Sequence, residues 1–191
     1  MTLGVSENQR MIFRPGSGSI TMMESPPVLL ASFDIESAER GEPLVKVASY
    51  VDRALIERLH QYPDDLRTID RRKFEELVAE LFVGFGYQVE LTKRTRDGGK
   101  DIIAIRRQEV NTRFLIECKR PDPGTPVRVS AVRDLYGVKV DDGASKAILA
   151  TTSYFTEDAM LFFEKHRWEL EPRDFDALQL WIAQYLGHGG A

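Results

Sequence analysis

The chain has a single cysteine, Cys118, so it can form no internal disulfide and no multi-cysteine zinc site. A reducing cytoplasm is the simplest expectation for such a protein. Its three histidines, His60, His166 and His188, lack ligand spacing, which argues against a histidine-based metal centre. No apolar run approaches the roughly 20 residues that span a bilayer. The start of the chain lacks a basic segment followed by an apolar one, so no secretory signal is expected.

What is present is an ordinary globular composition, 42% hydrophobic and 29% charged over 191 residues. That length favours one domain with an appendage, or two small ones. The net charge of −4 is unevenly spread. Residues 92–139 carry twelve lysines or arginines against six acids, a segment of +6, which leaves −10 for the remainder. A basic segment around acids suits a polyanionic substrate, and a solvated surface is the plainer reading.

Residues 1–48 form an N-terminal extension of short apolar pieces broken by Pro15-Gly16-Ser17-Gly18-Ser19 and Pro26-Pro27, either small strands or a partly ordered arm. A leading helix from about Ser49 to Leu59 and a linker fill residues 49–64. Phe74, Leu77, Val78, Leu81, Phe82 and Phe85 recur at three and four, predicting an amphipathic helix over Arg71 to Phe85. Strands are expected at Tyr87–Leu91, Ile102–Ile105, Phe114–Cys118, Ala147–Thr151 and near Trp168–Leu170. Ser130 and Thr156 are candidate N-caps for helices, the first running to about Lys139, and Asp141-Asp142-Gly143 is read as a turn. A last helix is expected from Phe175 to Leu186, with 187–191 a tail. Strands paired first as a meander and then as strand–helix–strand units predict an α/β fold with a mixed sheet flanked by helices.

Asp101, Glu117 and Lys119 stand out within this pattern. Alternation along a strand puts Glu117 and Lys119 on one face and Cys118 on the other. Fifteen residues separate Asp101 from Glu117, enough for a strand, a turn and most of a second strand. Two carboxylates and a lysine at one sheet edge suit Mg²⁺ and an activated water, hence phosphodiester cleavage. A strand-to-strand salt bridge and a turn aspartate are the alternatives. The Cys118 carbonyl lies between the two functional side chains and is a further candidate metal ligand. On a 100° wheel that starts at Phe74, Glu75 falls at the edge of the apolar stripe, while Glu76 and Glu80 point to solvent. Only Glu75 could reach inward from that helix, and an ordinary boundary glutamate is the equal alternative. Lys93, Arg94, Arg96, Arg120 and Arg128 are candidate phosphate contacts or solvated surface, and Ser130 could meet a phosphate at a helix N-terminus.

Taken in order, Phe74-Glu75, Leu77-Val78, Leu81-Phe82, Gly86-Tyr87, Asp97-Gly98-Gly99, Asp101-Ile102, Glu117-Cys118-Lys119-Arg120, Val129-Ser130, Leu135-Tyr136-Gly137 and Thr151-Thr152-Ser153 resemble the Mrr-like restriction endonuclease domain of the PD-(D/E)xK nuclease superfamily. The likeness covers about residues 65–186. It implies a restriction-endonuclease-like core with a four- or five-stranded mixed sheet. It further implies Mg²⁺-dependent hydrolysis of DNA, with Mn²⁺ as a substitute. In that picture Asp101, Glu117 and the Cys118 carbonyl hold metal, Lys119 activates or positions water, and Glu75 holds a second metal or its waters. Lys100 stands where the family more often has a small apolar residue. The expected role is restriction or phage defence, alone, as a homodimer, or with a partner protein in a larger defence system. A catalytically idle nucleic-acid-binding module, or a nuclease for RNA or for branched or single-stranded DNA, are the competing expectations.

Overall fold

The computed structural model describes residues 49–92 and 99–188. They build a five-stranded sheet in sequence order, β1 (Gln88–Leu91), β2 (Ile102–Arg106), β3 (Thr112–Lys119), β4 (Lys146–Thr151) and β5 (Leu170–Arg173). The first two pairings are antiparallel and the last two parallel, as the hairpin spacing and then the helical crossovers require. Six helices accompany them: α1 (Arg53–Gln61), α2 (Asp65–Thr68), α3 (Arg71–Gly84), α4 (Val129–Asp142), α5 (Glu157–Lys165) and α6 (Phe175–His188).

Each face of the sheet has its own core. Ile102, Ala104, Ile116 and Ile148 pack with α1, α3 and α6 on one face. Leu115, Ala147, Leu149 and Leu170 pack with α4 and α5 on the other. Because β3 alternates, Cys118 joins the first face and Leu115 the second. The central strands therefore read as continuous apolar runs.

Local chemistry explains the ends. Asp70 caps α3 by accepting from the N–H groups of Arg72 and Lys73. Thr156 caps α5 by accepting from the Ala159 N–H at 3.4 Å, as expected from sequence. Gly84 closes α3 where α6 crosses it. A Cβ there would meet the Tyr185 ring at 2.3 Å, so only glycine permits this approach.

Four expectations are corrected. α1 starts at Arg53, not Ser49, because the Tyr50 N–H is taken by Glu80 and Val51 is buried. The first residue before α4 is Arg128, which makes no side-chain cap, and Ser130 lies inside the helix, exposed. Asp141 and Asp142 belong to the last turn of α4, which ends at left-handed Gly143. The strand placed near Trp168 begins at Leu170, since Leu170 is the buried residue that pairs with Ala147 while Trp168 is 82% exposed. Pro172 is tolerated there because β5 is an edge strand. The short helix α2 had no counterpart in the sequence reading.

Candidate active site

The hairpin register builds the site. The β2–β3 ladder ends at the Ile102–Ile116 pair, and Asp101, just before β2, lies beside the Glu117–Cys118 end of β3. The Asp101 N–H donates to the Ile116 carbonyl at 3.0 Å, and the Asp101 carboxylate accepts from the Cys118 N–H at 2.7 Å. In an antiparallel pair a residue's N–H and C=O face the same neighbour, so the Cys118 carbonyl also lies on the Asp101 side of β3. Thr92 braces the corner, its N–H donating to the Asp101 carbonyl at 2.8 Å and its hydroxyl to the Lys100 carbonyl at 2.9 Å. Lys119 meets Glu117 at 2.5 Å. The Glu117 side chain is 9% exposed and that of Lys119 is 43%, so the lysine sits at the mouth and the acid beneath it.

The electrostatics are strained toward negative charge. Burial raises the Glu117 carboxyl above its ordinary range, and Lys119 offsets this while Asp101 and Asp134 reinforce it. Burial likewise raises Asp101, against the Cys118 N–H, Lys119 and Arg72. The Cys118 thiol is pushed well up by burial, reinforced by the negative charges of Asp101, Glu75 and Glu117. Such a thiol is inert.

Asp101, Glu117 and Lys119 thus lie at the same end of the hairpin. Glu75 arrives from α3, on the opposite face, and accepts from Arg72 at 2.8 Å. Among the described residues no three Asp, Glu, His or Cys side chains gather into a metal cluster. Arg128 and Ser130 are exposed at the start of α4. Arg120 is half-buried, and its Nε has no hydrogen-bond partner among the described residues. Lys93, Arg94, Arg96, Asp97 and Gly98 lie outside the described residues. Lys100 has a structural task, tying the start of β2 to Asp142 at the end of α4 at 2.5 Å.

One reading of the helix wheel is overturned. Glu80 does not face solvent. It is 6% exposed and accepts from the Tyr50 N–H at 2.8 Å and the Tyr185 hydroxyl at 2.9 Å. The wheel assumed one buried stripe, but α1 and α6 cover a second side of α3. Glu76 is only 22% exposed as a side chain, paired with Lys73 and Arg72.

Sequence reasoning missed two residues. Arg72 bonds Glu75 and the Thr92 carbonyl and lowers the Asp101 carboxyl. Its signal was its place three residues before Glu75, one turn away. Asp134 adds a negative charge near Glu117 from α4, a long-range placement with no local signal.

This fold is that of restriction endonucleases. The DNA modification-dependent restriction endonuclease AspBHI superposes with a TM-score of 0.52 over 71% of this chain and 35% of its own, at 22% identity. MspJI restriction endonuclease in complex with a 27-mer oligonucleotide gives 0.47 over 72% and 32%, at 15% identity. The restriction endonuclease family model Mrr_cat matches residues 66–182, so the chain belongs to the Mrr-like restriction endonuclease family of the PD-(D/E)xK superfamily. An uncharacterized protein, y4cE of Sinorhizobium fredii, is 33% identical over 100 residues, 51% of this chain. The chain spans about a quarter of the length of that curated relative. No described helix is long and apolar enough to cross a membrane.

Proposed function

We propose that this chain hydrolyses DNA phosphodiester bonds as a divalent-metal-dependent endonuclease serving restriction or phage defence. The observation that carries the proposal is the gathering of Asp101, Glu117 and Lys119 at one end of the β2–β3 hairpin, with Asp101 bonded to the Cys118 N–H and Lys119 bonded to Glu117. Family membership supports the reaction class.

The donor set fits a hard divalent cation. Two carboxylates lie near one strand end, both raised by burial, with a lysine bonded to one of them. Asp101, Glu117 and the Cys118 carbonyl would hold Mg²⁺ or Mn²⁺, through oxygen donors that suit either ion. When bound, that ion would polarise the phosphate and acidify a water. Lys119 holds its ammonium beside Glu117, positioned to orient the attacking water and steady charge developing on the phosphate. The Cys118 N–H fixes the Asp101 carboxylate, so the pair is set before substrate arrives. Glu75, held by Arg72, would steady a second ion or its waters from the other face.

DNA would approach across Arg120, Arg128 and Ser130, with Lys93, Arg94 and Arg96 on the adjoining segment as further phosphate contacts. Double-strand cleavage needs two sites, so a homodimer or a partner protein belongs to the proposal.

Purified full-length protein with supercoiled plasmid and Mg²⁺ or Mn²⁺ is expected to nick it, and Asp101→Ala to abolish nicking. Equal nicking by both proteins would refute the assignment. RNA and branched DNA in the same assay separate substrate classes.

A further inference from the structure

At the far end of the sheet lies a cavity of about 680 Å³ between the α3–β1 corner, β3, β4, β5 and α6. Its size is that of a small-ligand site. Phe114, which lines it, stands five residues before Lys119 on β3, about 16 Å away along the strand. It is therefore separate from the acid pair.

The lining has two chemistries. Phe85, Tyr87, Phe114 and Trp181 form half-buried aromatic walls, packed edge to face. Between them stand Arg106, Lys146 and Arg173, with one carboxylate, Glu171. Arg106 lies over the Tyr87 ring at 5.5 Å and Arg173 over Trp181 at 4.6 Å. Glu171 is shared by Lys146, at 2.6 Å, and Arg173. Positive charge thus exceeds negative within the lining. The Arg173 Nε is buried with no hydrogen-bond partner among the described residues, a costly state unless a ligand supplies an acceptor. Burial also lowers both Lys146 and Arg173 from their ordinary values. An anion alone would leave the aromatic walls unused, and a neutral ring would leave the cations unanswered. A planar ring carrying a phosphate answers both, by stacking on aromatic and guanidinium planes and by charge-assisted hydrogen bonds.

We propose that this cavity is a nucleotide-binding site, taking a base against Tyr87 and Trp181 and its phosphate against Arg106 and Arg173. The nucleotide could be free in solution or the exposed end of a strand. Both present the same chemistry.

The test is calorimetric titration of the full-length Asp101→Asn chain, in EDTA, with a nucleoside monophosphate, the bare nucleoside, inorganic phosphate and a short single-stranded oligonucleotide. The monophosphate is expected to bind more tightly than either of its halves. Arg106→Gln and Arg173→Gln, checked for folding by circular dichroism, are each expected to weaken it about tenfold or more, the usual cost of one hydrogen bond to a charged group. Equal variant sensitivity with tighter binding of the oligonucleotide would assign the site to strand ends. A stronger monophosphate signal would assign it to free nucleotide. Absence of saturable binding at millimolar concentration, binding of phosphate alone as tightly as the nucleotide, or unchanged affinity in both folded variants would overturn the proposal.

Discussion

Glu80 and Glu117 are equally buried, at 6% and 7% exposure, yet they sit in opposite surroundings. Glu80, on α3, accepts from two donors, the Tyr50 N–H just before α1 and the Tyr185 hydroxyl on α6. Around Glu117, the strand end supplies a lysine but also Asp101 and, across from α4, Asp134. Burial is therefore not the mark of a working acid. An acid whose neighbours satisfy it holds the fold together. At Glu117 the charged form is disfavoured first by burial and then by neighbouring acids, a state that a cation can relieve.

That contrast can be broken by experiment. The largest effect should come from Glu117→Gln or Asp101→Asn, which are expected to cut plasmid nicking by about a thousandfold, the scale of losing several kcal/mol of metal-derived stabilisation. Both variants should stay folded. Glu80→Ala is expected to do the reverse, losing about 2–4 kcal/mol of stability in urea unfolding by orphaning two buried donors. Cleavage by its folded fraction should be nearly unchanged. Comparable loss of activity in Glu80→Ala at a temperature where it is folded would erase the distinction. Glu75→Gln should fall between, with about tenfold slower nicking, the scale of a supporting contact to a metal site. Tyr185→Phe should cost about 1 kcal/mol of stability, the net value of one hydrogen bond. The Tyr185 hydroxyl, pushed up to about 12 by burial and by Glu80, should also resist ionisation in alkaline absorbance titration.

The smallest effect concerns pH. Asp101 and Glu117 are raised from ordinary values of 3.8 and 4.5. A raised acid binds its proton more tightly in the folded chain than in the unfolded one. Its contribution to stability is complete below those ordinary values and is lost as pH climbs through the raised ones. Metal-free protein should therefore lose thermal stability over that window, and Glu117→Gln should flatten the decline. Added Mg²⁺ should restore stability to the native chain and not to the variant. An identical pH profile for both would contradict a Glu117 carboxyl raised by burial.

Much of this was legible in the sequence, because strands impose a period of two. Glu117 and Lys119 had to share a face, and the five strands and the helix from Arg71 followed from local periodicity. The errors arose where a second layer intervened. Glu80 was misread because one amphipathic stripe was assumed on a helix with two covered sides. Ser130 looked like a cap from its residue type, while the chain entered α4 two residues earlier. Asp134 and the aromatic cavity are made by residues far apart in sequence, so no window could contain them. The task of Lys100 was hidden for the same reason, its partner Asp142 being forty-two positions away.

The β2–β3 register has a consequence for how this chain matures. The strands are joined by exposed residues 107–111, and their pairing brings the start of β2, next to Asp101, beside the Glu117 end of β3. A slip of one residue would turn every side chain of one strand to the wrong face, setting Ile102 where an acid should be. Under the proposed function, competence to cut depends on a correctly formed hairpin. A single residue inserted in that turn, if it shifts the register, is expected to give a chain that is folded in outline and does not nick plasmid.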